Sequence, residues 1–493
     1  MTGYLKRLVS SLAAYQVADV VSKFIAVLLL PVYTRYVNPA GYGVVELLAN
    51  GVILISILVR LGVIESFLRF YFSDEDQDRR DALARRSIAL LLATTTVAAI
   101  PLTLAAVPLS KVVLGYHDPT TFRIAVLGMW SFTNLELAYA LLRVDERLRL
   151  YAMASLSNVL LTIAASLVLV VGLGDGARGL LLGNYGATTV VLFALWIALR
   201  HRLRPRPGRV ERMAELMRFG LPTVPAEASV YALSIVDRYY IFHHRSPGLA
   251  GLYSIAVKLA GAVAFIVRAF QYAWPPLAYS VSDDAEAGRL YGLVTTYYLL
   301  VSGLVVAALT LLGRWILRLL AAPSFYDAYK ALPWVALGWA MYGLWVVFLV
   351  IAGRAKVTTR NFPASLAGLA ANVVLLLLLV GPLGIAGAGI ALCGAYVVML
   401  TVMHLLTRHV FPVDFEWLRL TQLVLVVGGM AAAGNLLLPT HGALGLLARL
   451  VVLAAIGPVL LATGFAHTAE LRQARVLLAR VRRAYPPAAG SES

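Results

Sequence analysis

Long apolar runs separated by short polar and basic segments form the dominant pattern along the chain. Apolar runs of ~18 or more residues are long enough to cross a bilayer as helices. The short alternating segments typical of an outer-membrane barrel are absent from the sequence. The pattern therefore predicts an all-α polytopic membrane protein with about 14 transmembrane helices. The predicted spans are residues 10–34, 43–66, 86–109, 121–142, 150–172, 177–199, 214–241, 249–273, 290–313, 330–352, 363–381, 385–407, 418–438 and 443–466, with boundaries good to ~2–4 residues.

The pattern of the first two spans recurs later in the chain. A shift of 208 residues places Pro39 on Pro247 and Gly43 on Gly251. The same shift pairs Asp19 with Glu227, Arg60 with Arg268, Gly176 with Gly384, Gly179 with Gly387, Gly186 with Gly394 and Ala187 with Ala395. A single register held over this length indicates one duplicated unit, as in transporters whose binding site lies between two parallel repeats.

A basic linker separates the two copies. The segment Arg200–Arg212 reads RHRLRPRPGRVER and is the most basic stretch of the chain. We interpret it as a topology signal and spacer, with docking to anionic lipid headgroups as the alternative. The predicted domains are a six-helix N-lobe at residues 1–207, a pseudo-symmetric six-helix C-lobe at 208–410, two extra helices at 411–466 and a basic amphipathic cytoplasmic tail at 467–493.

The charge distribution predicts the orientation of the helices. Only 14% of the residues are charged, against ~25% in ordinary soluble domains, and the mean hydropathy is +0.81. The net charge of +17 is concentrated in one set of alternate loops, which carries about 25 Lys and Arg residues against about 6 in the other set. This asymmetry predicts cytoplasmic termini, and it explains the positive charge without a nucleic-acid partner.

The amphipathic segment Gly313–Pro333 then falls on the outer side, where we predict a helix lying on the membrane surface.

Charged residues inside the first two predicted spans are the first candidates for function. Asp19, Lys23, Glu46 and Arg60 would each cost ~2.5–3.5 kcal/mol at the centre of a membrane helix facing lipid. We therefore expect them to face a wet cavity, and a mostly cationic cavity indicates an anionic cargo. Asp19 and Lys23 lie four residues apart on one helix face, so a self-neutralising packing pair is an equal alternative.

Further candidates lie in the repeat and in the fourth span. We predict that Arg60, Arg268 and Lys258 line the cavity, with snorkelling to the interface as the alternative for the arginines. Glu227 and Glu136, together with Asp19, are candidates for ion coupling or charge pairing. Hydrogen bonding to a neighbouring helix is the alternative for Glu136.

Two adjacent charges near the outer end of the seventh span receive a different interpretation. Asp237 and Arg238 are predicted to form an interfacial ion pair. Tyr239 and Tyr240, which follow them, are predicted to belong to an interfacial aromatic belt.

Three stretches of the sequence carry a family resemblance. They are the hairpin LLLPVYTRYVNPAGYGVVELL, its counterpart SPGLAGLYSIAVKLAG and the later segment FYDAYKALPWVALGWAMYGLW. They resemble the polysaccharide-exporter branch of the multidrug/oligosaccharidyl-lipid/polysaccharide (MOP) flippase superfamily, especially its O-antigen-type and capsule-type flippases. The resemblance runs from about Leu8 to His409. It implies a MATE-like fold, in which two six-helix lobes rock around a central cavity between inward- and outward-facing states.

The resemblance also implies a cargo and the residues that hold it. In the related lipid II flippases, cationic residues of the first, second and eighth helices hold a pyrophosphate. The matching helices here offer Lys23, Arg60 and Arg268. Those relatives carry more arginine in the first helix, which makes a peptidoglycan precursor the less favoured cargo. The spans 418–438 and 443–466 would form a groove for the lipid tail.

The sequence therefore predicts a flippase for polyprenyl-(pyro)phosphate-linked oligosaccharide. It would move this cargo from the inner to the outer leaflet of the cytoplasmic membrane by alternating access, for cell-surface polysaccharide biosynthesis. The predicted partners are the lipid-linked oligosaccharide, membrane lipids and glycan polymerase or assembly proteins. The alternatives are an ion-coupled drug efflux antiporter, a lipid II-type flippase, and a lipid scramblase or assembly scaffold.

Enzyme signatures are absent from the sequence. It contains no Walker A, HExxH or GxSxG motif and no clustered His or Cys ligands. The single cysteine, Cys393, excludes an intramolecular disulfide and a cysteine–metal cluster. We therefore predict no enzymatic activity, no metal and no cofactor. Energy would come from an H⁺ or Na⁺ gradient or from disposal of the substrate.

Overall fold

The fold is entirely helical in the part of the chain that the structure describes. The structure is a computed structural model, and it describes residues 29–71, 76–200 and 213–466, among which no strand occurs. Their helices are α1 (Leu30–Tyr36), α2 (Pro39–Val59), α3 (Val63–Tyr71), α4 (Gln77–Leu104), α5 (Ala106–Leu114), α6 (Pro119–Val144), α7 (Leu148–Leu167), α8 (Gly176–Ala198), α9 (Met213–Gly220), α10 (Thr223–His244), α11 (Pro247–Ser280), α12 (Asp284–Leu320), α13 (Leu332–Arg354), α14 (Asn361–Thr407), α15 (Trp417–Leu423), α16 (Gly429–Leu437) and α17 (Gly442–Ala462).

Eleven helical stretches of the described residues are long and apolar enough to cross a membrane. One of them, Thr358–Thr407, is broken at Gly384 (φ 58°, ψ −135°), between the predicted spans 363–381 and 385–407. α10 is not among the eleven, and most of the first predicted span lies outside the described residues. The predicted all-α polytopic membrane fold is confirmed, while the count of 14 helices stays a prediction.

The predicted span 43–66 is wrong in one respect, because the structure divides it into two helices. Leu61 and Gly62 adopt positive φ values of 49° and 70°, which ends α2 at Val59. A Cβ atom on Gly62 would lie 2.1 Å from the carbonyl oxygen of Gly220, so glycine is required for this close approach. The residues on both sides of the break are apolar, and hydropathy alone therefore does not reveal it.

The predicted surface helix at Gly313–Pro333 is not one continuous helix. Its first part continues α12 as far as Leu320, and a 3₁₀ helix at Pro323–Lys330 follows. Phe325 and Ala328 of the 3₁₀ helix are fully buried. The apolar side of this segment therefore packs against protein, which accounts for the alternation that suggested a membrane-surface helix.

The two repeat hairpins meet at the glycines that the sequence register pairs. A Cβ atom on Gly43 would lie 2.0 Å from the carbonyl oxygen of Pro247, and one on Gly251 would lie 2.0 Å from that of Pro39. These contacts exchange under the 208-residue shift, so α2 and the start of α11 cross with local pseudo-two-fold symmetry. Only glycine lets two helix backbones approach so closely.

Packing divides the chain into two compact units. The first unit holds the described residues up to Leu259, Leu317–Ala331 and Leu369–Ala395, and the second holds Ala260–Ile316, Leu332–Gly368 and the described residues from Tyr396 onward. This division is based on contacts, whereas the predicted lobes at 1–207 and 208–410 follow the sequence repeat. The lobe boundaries stay a prediction.

The first unit is built around α6 and α8. α8 packs against α6 and α7, α4 packs against α6, and α2 packs against both α6 and α10. Its core includes the buried residues Phe67, Leu91, Ala140, Leu142 and Leu192. This packing holds α2 and α10 side by side, with their polar residues between them.

The start of α6 is tied to α8 by a capping carboxylate. Asp118 accepts hydrogen bonds from the Thr121 amide at 3.2 Å and hydroxyl at 2.6 Å, and it pairs with Arg178 at 2.9 Å. Burial alone would raise the pKa of Asp118, but these hydrogen bonds and the Arg178 charge hold it below its ordinary value.

The second unit has an aromatic core of its own. Trp274 of α11 and Tyr291 of α12 are fully buried, with ring centroids 4.8 Å apart. Val347 and Ile351 of α13 pack against them. These contacts fix the second part of α11 against α12 and α13.

Substitution of the crossing glycine should destabilise the protein. The methyl group of Gly43→Ala would meet a backbone carbonyl that cannot move without shifting α11. We expect a cost of ~1–3 kcal/mol, the usual range for overpacking, measured as a lower thermal unfolding midpoint of the detergent-purified protein.

Gly51→Ala is the matched control for this substitution, because it lies in the same helix and its Cβ atom would have nothing within 4 Å. It should stabilise the protein by ~0.5–1 kcal/mol. Equal midpoints for the two variants would contradict the crossing.

Candidate functional site

A cluster of polar side chains lies inside the first unit, on faces of three apolar helices. We name it the polar cluster. Its members are Tyr42, Glu46 and Asn50 of α2, Tyr231 and Arg238 of α10, and Lys258 of α11.

The start of α2 determines which of its residues face the cluster. The side chain of Asn38 caps the helix by accepting a hydrogen bond from the Gly41 amide at 2.7 Å, and Pro39 occupies the first turn. From this start, Tyr42, Glu46 and Asn50 follow at intervals of four residues, so they lie on one face of the helix.

Lys258 is the accessible cation of the polar cluster. Its ammonium group lies 2.6 Å from Oε1 of Glu46, donates a hydrogen bond to the hydroxyl of Tyr42, and lies 4.8 Å from the centroid of the Tyr42 ring. The Lys258 side chain is 41% exposed, whereas Glu46 is 12% exposed. Its helix neighbours Ile255 and Ala256 are fully buried. Lys258 is therefore an exposed side chain within a buried stretch of α11.

Asn50 joins the other half of the cluster. Its Oδ1 accepts hydrogen bonds from Arg238 at 2.8 Å and from the hydroxyl of Tyr231 at 3.1 Å. Its amide nitrogen donates to the backbone oxygen of Glu46 at 2.6 Å. The amide is thus fixed in orientation and links α2 to α10.

The six residues of the cluster carry more positive than negative charge. Lys258 and Arg238 both act electrostatically on the single carboxylate, Glu46. The Nε atom of Arg238 is buried and has no hydrogen-bond partner within the described part of the chain. An unpaired buried donor costs ~1–3 kcal/mol. These six residues carry one net positive charge, which favours an anionic ligand, and the neighbouring Asp237 carboxyl also interacts electrostatically with Arg238.

Arg60 lies in a second group of charges at the end of α2. It caps the helix instead of lying within a longer span, and it contacts both Glu65, at 3.1 Å, and Glu227 of α10. Glu227 lies 167 residues further along the chain. Two carboxylates therefore compensate the charge of Arg60. For Glu227 the geometry shows charge pairing, while its role in ion coupling stays a prediction.

The remaining predicted site residues are not members of the polar cluster. Glu136 is half-buried on α6 and within electrostatic range of Arg60. Arg268 lies in the second unit, on an exposed face of α11. Asp19 and Lys23 lie outside the described residues. The structure therefore brings Arg60 together with Glu227, and it brings Lys258 together with Glu46, a first candidate from the sequence, and with Tyr42, which was not predicted.

The interfacial pair predicted for Asp237 and Arg238 is corrected by the structure. Asp237 is only 2% exposed and accepts a hydrogen bond from Tyr253 at 2.6 Å, while Arg238 donates to Asn50. Adjacent residues on an α-helix point about 100° apart, so the two side chains enter different environments. The second oxygen of Asp237 is buried without a hydrogen-bond partner within the described residues. No group of three or more potential metal ligands occurs in the same residues.

The sequence did not identify four members of the cluster as site residues: Tyr42, Asn50, Tyr231 and Arg238. It placed Glu46 in a wet cavity but gave it no specific role. The available signal was the spacing of Tyr42, Glu46 and Asn50, which places three polar groups on one stripe of an apolar helix. No comparable signal marked Arg238, because its sequence neighbour Asp237 offered a simpler partner.

A family model matches more than half of the chain. The model is described as "Polysaccharide biosynthesis protein" and matches residues 8–282. No curated protein matches the chain.

Solved structures share the fold. The lipid II flippase MurJ in an inward closed conformation aligns with a TM-score of 0.72 and 12% identity, over 93% of this chain and 100% of that one. An inward-facing MATE family multidrug resistance transporter of the MOP superfamily aligns with a TM-score of 0.63 and 14% identity, over 80% and 94%. The Vibrio cholerae MATE transporter VcmN aligns with a TM-score of 0.52 and 13% identity, over 79% and 98%. At these identities the structural likeness shows the fold alone.

The ion pair between Glu46 and Lys258 should be measurable as a coupling energy. Glu46→Gln and Lys258→Met should each destabilise the protein, because each leaves one charge without its partner. The double variant should recover part of the loss, with a coupling of ~0.5–3 kcal/mol. Solvent screening of Lys258 places the expected value in the lower half of that range.

The exposed pair Lys330–Asp327, at 3.0 Å, is the control for this double-mutant cycle. Lys330→Met and Asp327→Asn should show a coupling of only ~0–1 kcal/mol. Strictly additive effects of Glu46→Gln and Lys258→Met on the unfolding free energy in detergent would show that the buried contact adds no stability.

Proposed function

This chain belongs to the polysaccharide biosynthesis protein family, and on that premise we propose that it is a flippase for polyprenyl-(pyro)phosphate-linked oligosaccharide. The family and the fold support a multi-pass membrane flippase or transporter of the MOP superfamily rather than an enzyme. The proposed direction is from the inner to the outer leaflet of the cytoplasmic membrane by alternating access. The product would serve assembly of cell-surface polysaccharide, together with glycan polymerase or assembly proteins.

The observation that carries this proposal is the positive balance of the polar cluster. A pyrophosphate brings about two negative charges, which need compensating donors to enter a low-dielectric environment. Lys258 offers a compact accessible ammonium group, and Arg238 offers a buried N–H group that lacks a partner. Lysine and arginine are the side chains that bind phosphate best. The cluster therefore has the chemistry of a phosphate site inside an apolar helix bundle.

Glu46 gives this site a resting state. Without cargo, the carboxylate of Glu46 holds the Lys258 ammonium at 2.6 Å and so compensates its charge. A phosphate that approaches Lys258 competes with Glu46 for the same ammonium group, and its departure lets the ion pair form again. Exchange between two anions keeps the cation paired at every stage. The displaced Glu46 carboxylate then remains within electrostatic range of Arg238.

Arg60 enters the proposal in a different role. Its contacts with Glu65 and Glu227 must open before it can bind a pyrophosphate. The pairing joins the end of α2 to α10, so its opening would free these helices to separate. Protonation of Glu227 would weaken the contact, which offers a route for H⁺ coupling. Asp19, Glu136 and a Na⁺ gradient stay as the other candidates for coupling.

The drug-efflux alternative is less compatible with the cluster. An antiporter for cationic drugs needs an acidic cavity, whereas Lys258 and Arg238 outnumber Glu46 here. The lipid II-type alternative has the same diphosphate group, so only the sugar and peptide of lipid II distinguish that cargo from a lipid-linked oligosaccharide. Transport assays on defined cargoes therefore decide among the three.

Loss of either cluster cation should strongly reduce export of the surface glycan. In cells that depend on this protein, Lys258→Ala or Arg238→Ala should reduce surface polysaccharide by ~10–100-fold, because a hydrogen bond to a charged group is worth ~1.5–3 kcal/mol. The measurements are the amount of surface glycan and the inner-leaflet accumulation of its lipid-linked precursor. Lys330→Ala, which removes an exposed paired lysine of the same unit, should leave both unchanged.

Purified protein in liposomes tests the proposed activity directly. Wild-type protein should move an undecaprenyl-diphosphate-linked oligosaccharide across the bilayer, and Lys258→Ala should not. Faster movement of lipid II would favour the peptidoglycan alternative. Movement of a cationic dye without the lipid-linked glycan would refute the flippase proposal.

A charge exchange should separate the two roles of Arg60. Arg60→Glu should impair transport, and the combination of Arg60→Glu with Glu227→Arg should restore part of it if pairing is the function of Arg60. The readout is initial flipping rate in the same liposomes. No recovery in a double variant that folds as well as wild type would instead favour direct contact between Arg60 and the cargo.

A further inference from the structure

The second unit carries a group of aromatic and polar side chains around Arg268, a residue that the sequence predicts to contact the pyrophosphate. We name it the aromatic patch. Its members are Arg268, Gln271 and Tyr272 of α11, Trp339 and Tyr342 of α13, and Tyr396 of α14.

Side-chain contacts join the three helices at this patch. The amide nitrogen of Gln271 donates a hydrogen bond to the hydroxyl of Tyr342 at 3.1 Å. The Tyr342 ring lies 5.8 Å from that of Trp339, at an interplanar angle of 84°, and 6.2 Å from that of Tyr396, at 53°. The rings therefore present differently oriented faces around one polar contact.

The α11 side of the patch is open to its surroundings. Arg268, Gln271 and Tyr272 follow at i, i+3 and i+4, so they lie on neighbouring positions of one helix surface. Arg268 is exposed, and Tyr272 is 58% exposed. A guanidinium, an amide and a phenol ring therefore lie side by side on this surface.

The patch differs from the aromatic core of the same unit. Trp274 and Tyr291 of the core are 1% and 0% exposed. Trp339, Tyr342 and Tyr396 are half-buried instead, so part of each ring can be reached from outside. Tyr342 and Tyr396 also pack against the buried core around Trp345, so each of these two rings has one part in core packing and another part that can be reached.

An interfacial aromatic belt does not explain the patch either. Belt tyrosines and tryptophans direct their polar ends toward the lipid headgroups. Here the hydroxyl of Tyr342 is held by an amide from another helix, and a charged residue, Arg268, lies one turn from that amide. An arginine facing the lipid core costs several kcal/mol on most scales. The patch therefore has the composition of a wet binding surface.

We propose that the aromatic patch is a sugar-binding subsite, which holds pyranose rings of the glycan during its passage. A pyranose ring presents C–H groups on its faces and hydroxyl groups around its rim. The half-buried rings of Trp339, Tyr342 and Tyr396 match the C–H faces, since aromatic faces carry partial negative charge. The forked donors of Arg268 and the amide of Gln271 match adjacent hydroxyl groups. This inference rests on the proposed function and assigns the sugar part of that cargo to named residues.

Binding of probes with and without sugar tests the subsite. The probes are undecaprenyl diphosphate, undecaprenyl-diphosphoryl-N-acetylglucosamine and the lipid-linked glycan fraction extracted from cells that make the protein. Their affinities are measured for full-length protein in nanodiscs. Wild type should bind the glycan-bearing probes more tightly than the sugar-free one.

Three variants examine separate parts of the patch. Trp339→Leu and Gln271→Leu should each lose about tenfold in affinity for the glycan-bearing probes, the scale of one well-placed contact. Neither should change the affinity for undecaprenyl diphosphate. Tyr342→Phe keeps the ring and loses the bond to Gln271, so its loss should be smaller than that of Trp339→Leu. Tyr116→Leu, which removes an exposed aromatic residue of the first unit, is the matched control and should change neither affinity.

The outcomes distinguish failure of the subsite from failure of the proposed function. Equal affinities of wild type for sugar-free and sugar-bearing probes, or equal losses for both in the variants, would overturn the subsite alone. A wild-type protein that binds none of the polyprenyl diphosphate probes would overturn the proposed function and the subsite with it. Thermal midpoints of all variants are measured in parallel, and Tyr342→Phe provides the conservative change if a leucine variant does not fold.

Discussion

The ion pair between Glu46 and Lys258 is the contact on which the functional interpretation depends. A lone ammonium group in an apolar bundle would be costly, and a fully buried ion pair would be inert. Lys258 avoids both extremes, because its charge is compensated by Glu46 while 41% of its side chain is exposed. A cation held in this way can exchange one anion for another. This property is what a carrier of phosphorylated cargo requires, and a purely structural salt bridge lacks it.

The backbone crossing of the two repeats creates this contact. Gly43 and Gly251 let α2 and α11 approach so closely that larger residues would collide with carbonyl oxygens. Glu46 follows Gly43 by about one turn, and Lys258 follows Gly251 by about two turns. The crossing therefore sets the distance between the carboxylate and the ammonium. The repeated glycines bring the two helices close together. The charged residues that follow them differ between the repeats, and they form the ion pair.

We propose two kinds of recognition, each by its own set of side chains. The polar cluster carries positive charge, which suits the phosphate of any lipid carrier but does not select a particular sugar. The aromatic patch offers ring faces and an amide donor, which suit the pyranose rings and hydroxyl groups of a glycan. Arg60 belongs neither to the polar cluster nor to the aromatic patch, because the carboxylates of Glu65 and Glu227 compensate its charge. Its pairing links two helices and is better suited to control their separation.

The sequence by itself determined the helical membrane fold and the approximate position of most of the described spans, and it revealed the repeat, because bilayer crossing and helix periodicity are properties of local segments. It also marked Arg60, Glu227 and Lys258 as residues that lipid would not accept. Tertiary structure decided their partners: Arg60 meets a carboxylate 167 residues away, and Arg238 bonds Asn50 rather than its neighbour Asp237. Partners depend on which helices pack together and on the direction in which each side chain leaves its helix. Neither quantity is encoded in the hydropathy of a single segment, so charge could be located from the sequence but its pairing could not.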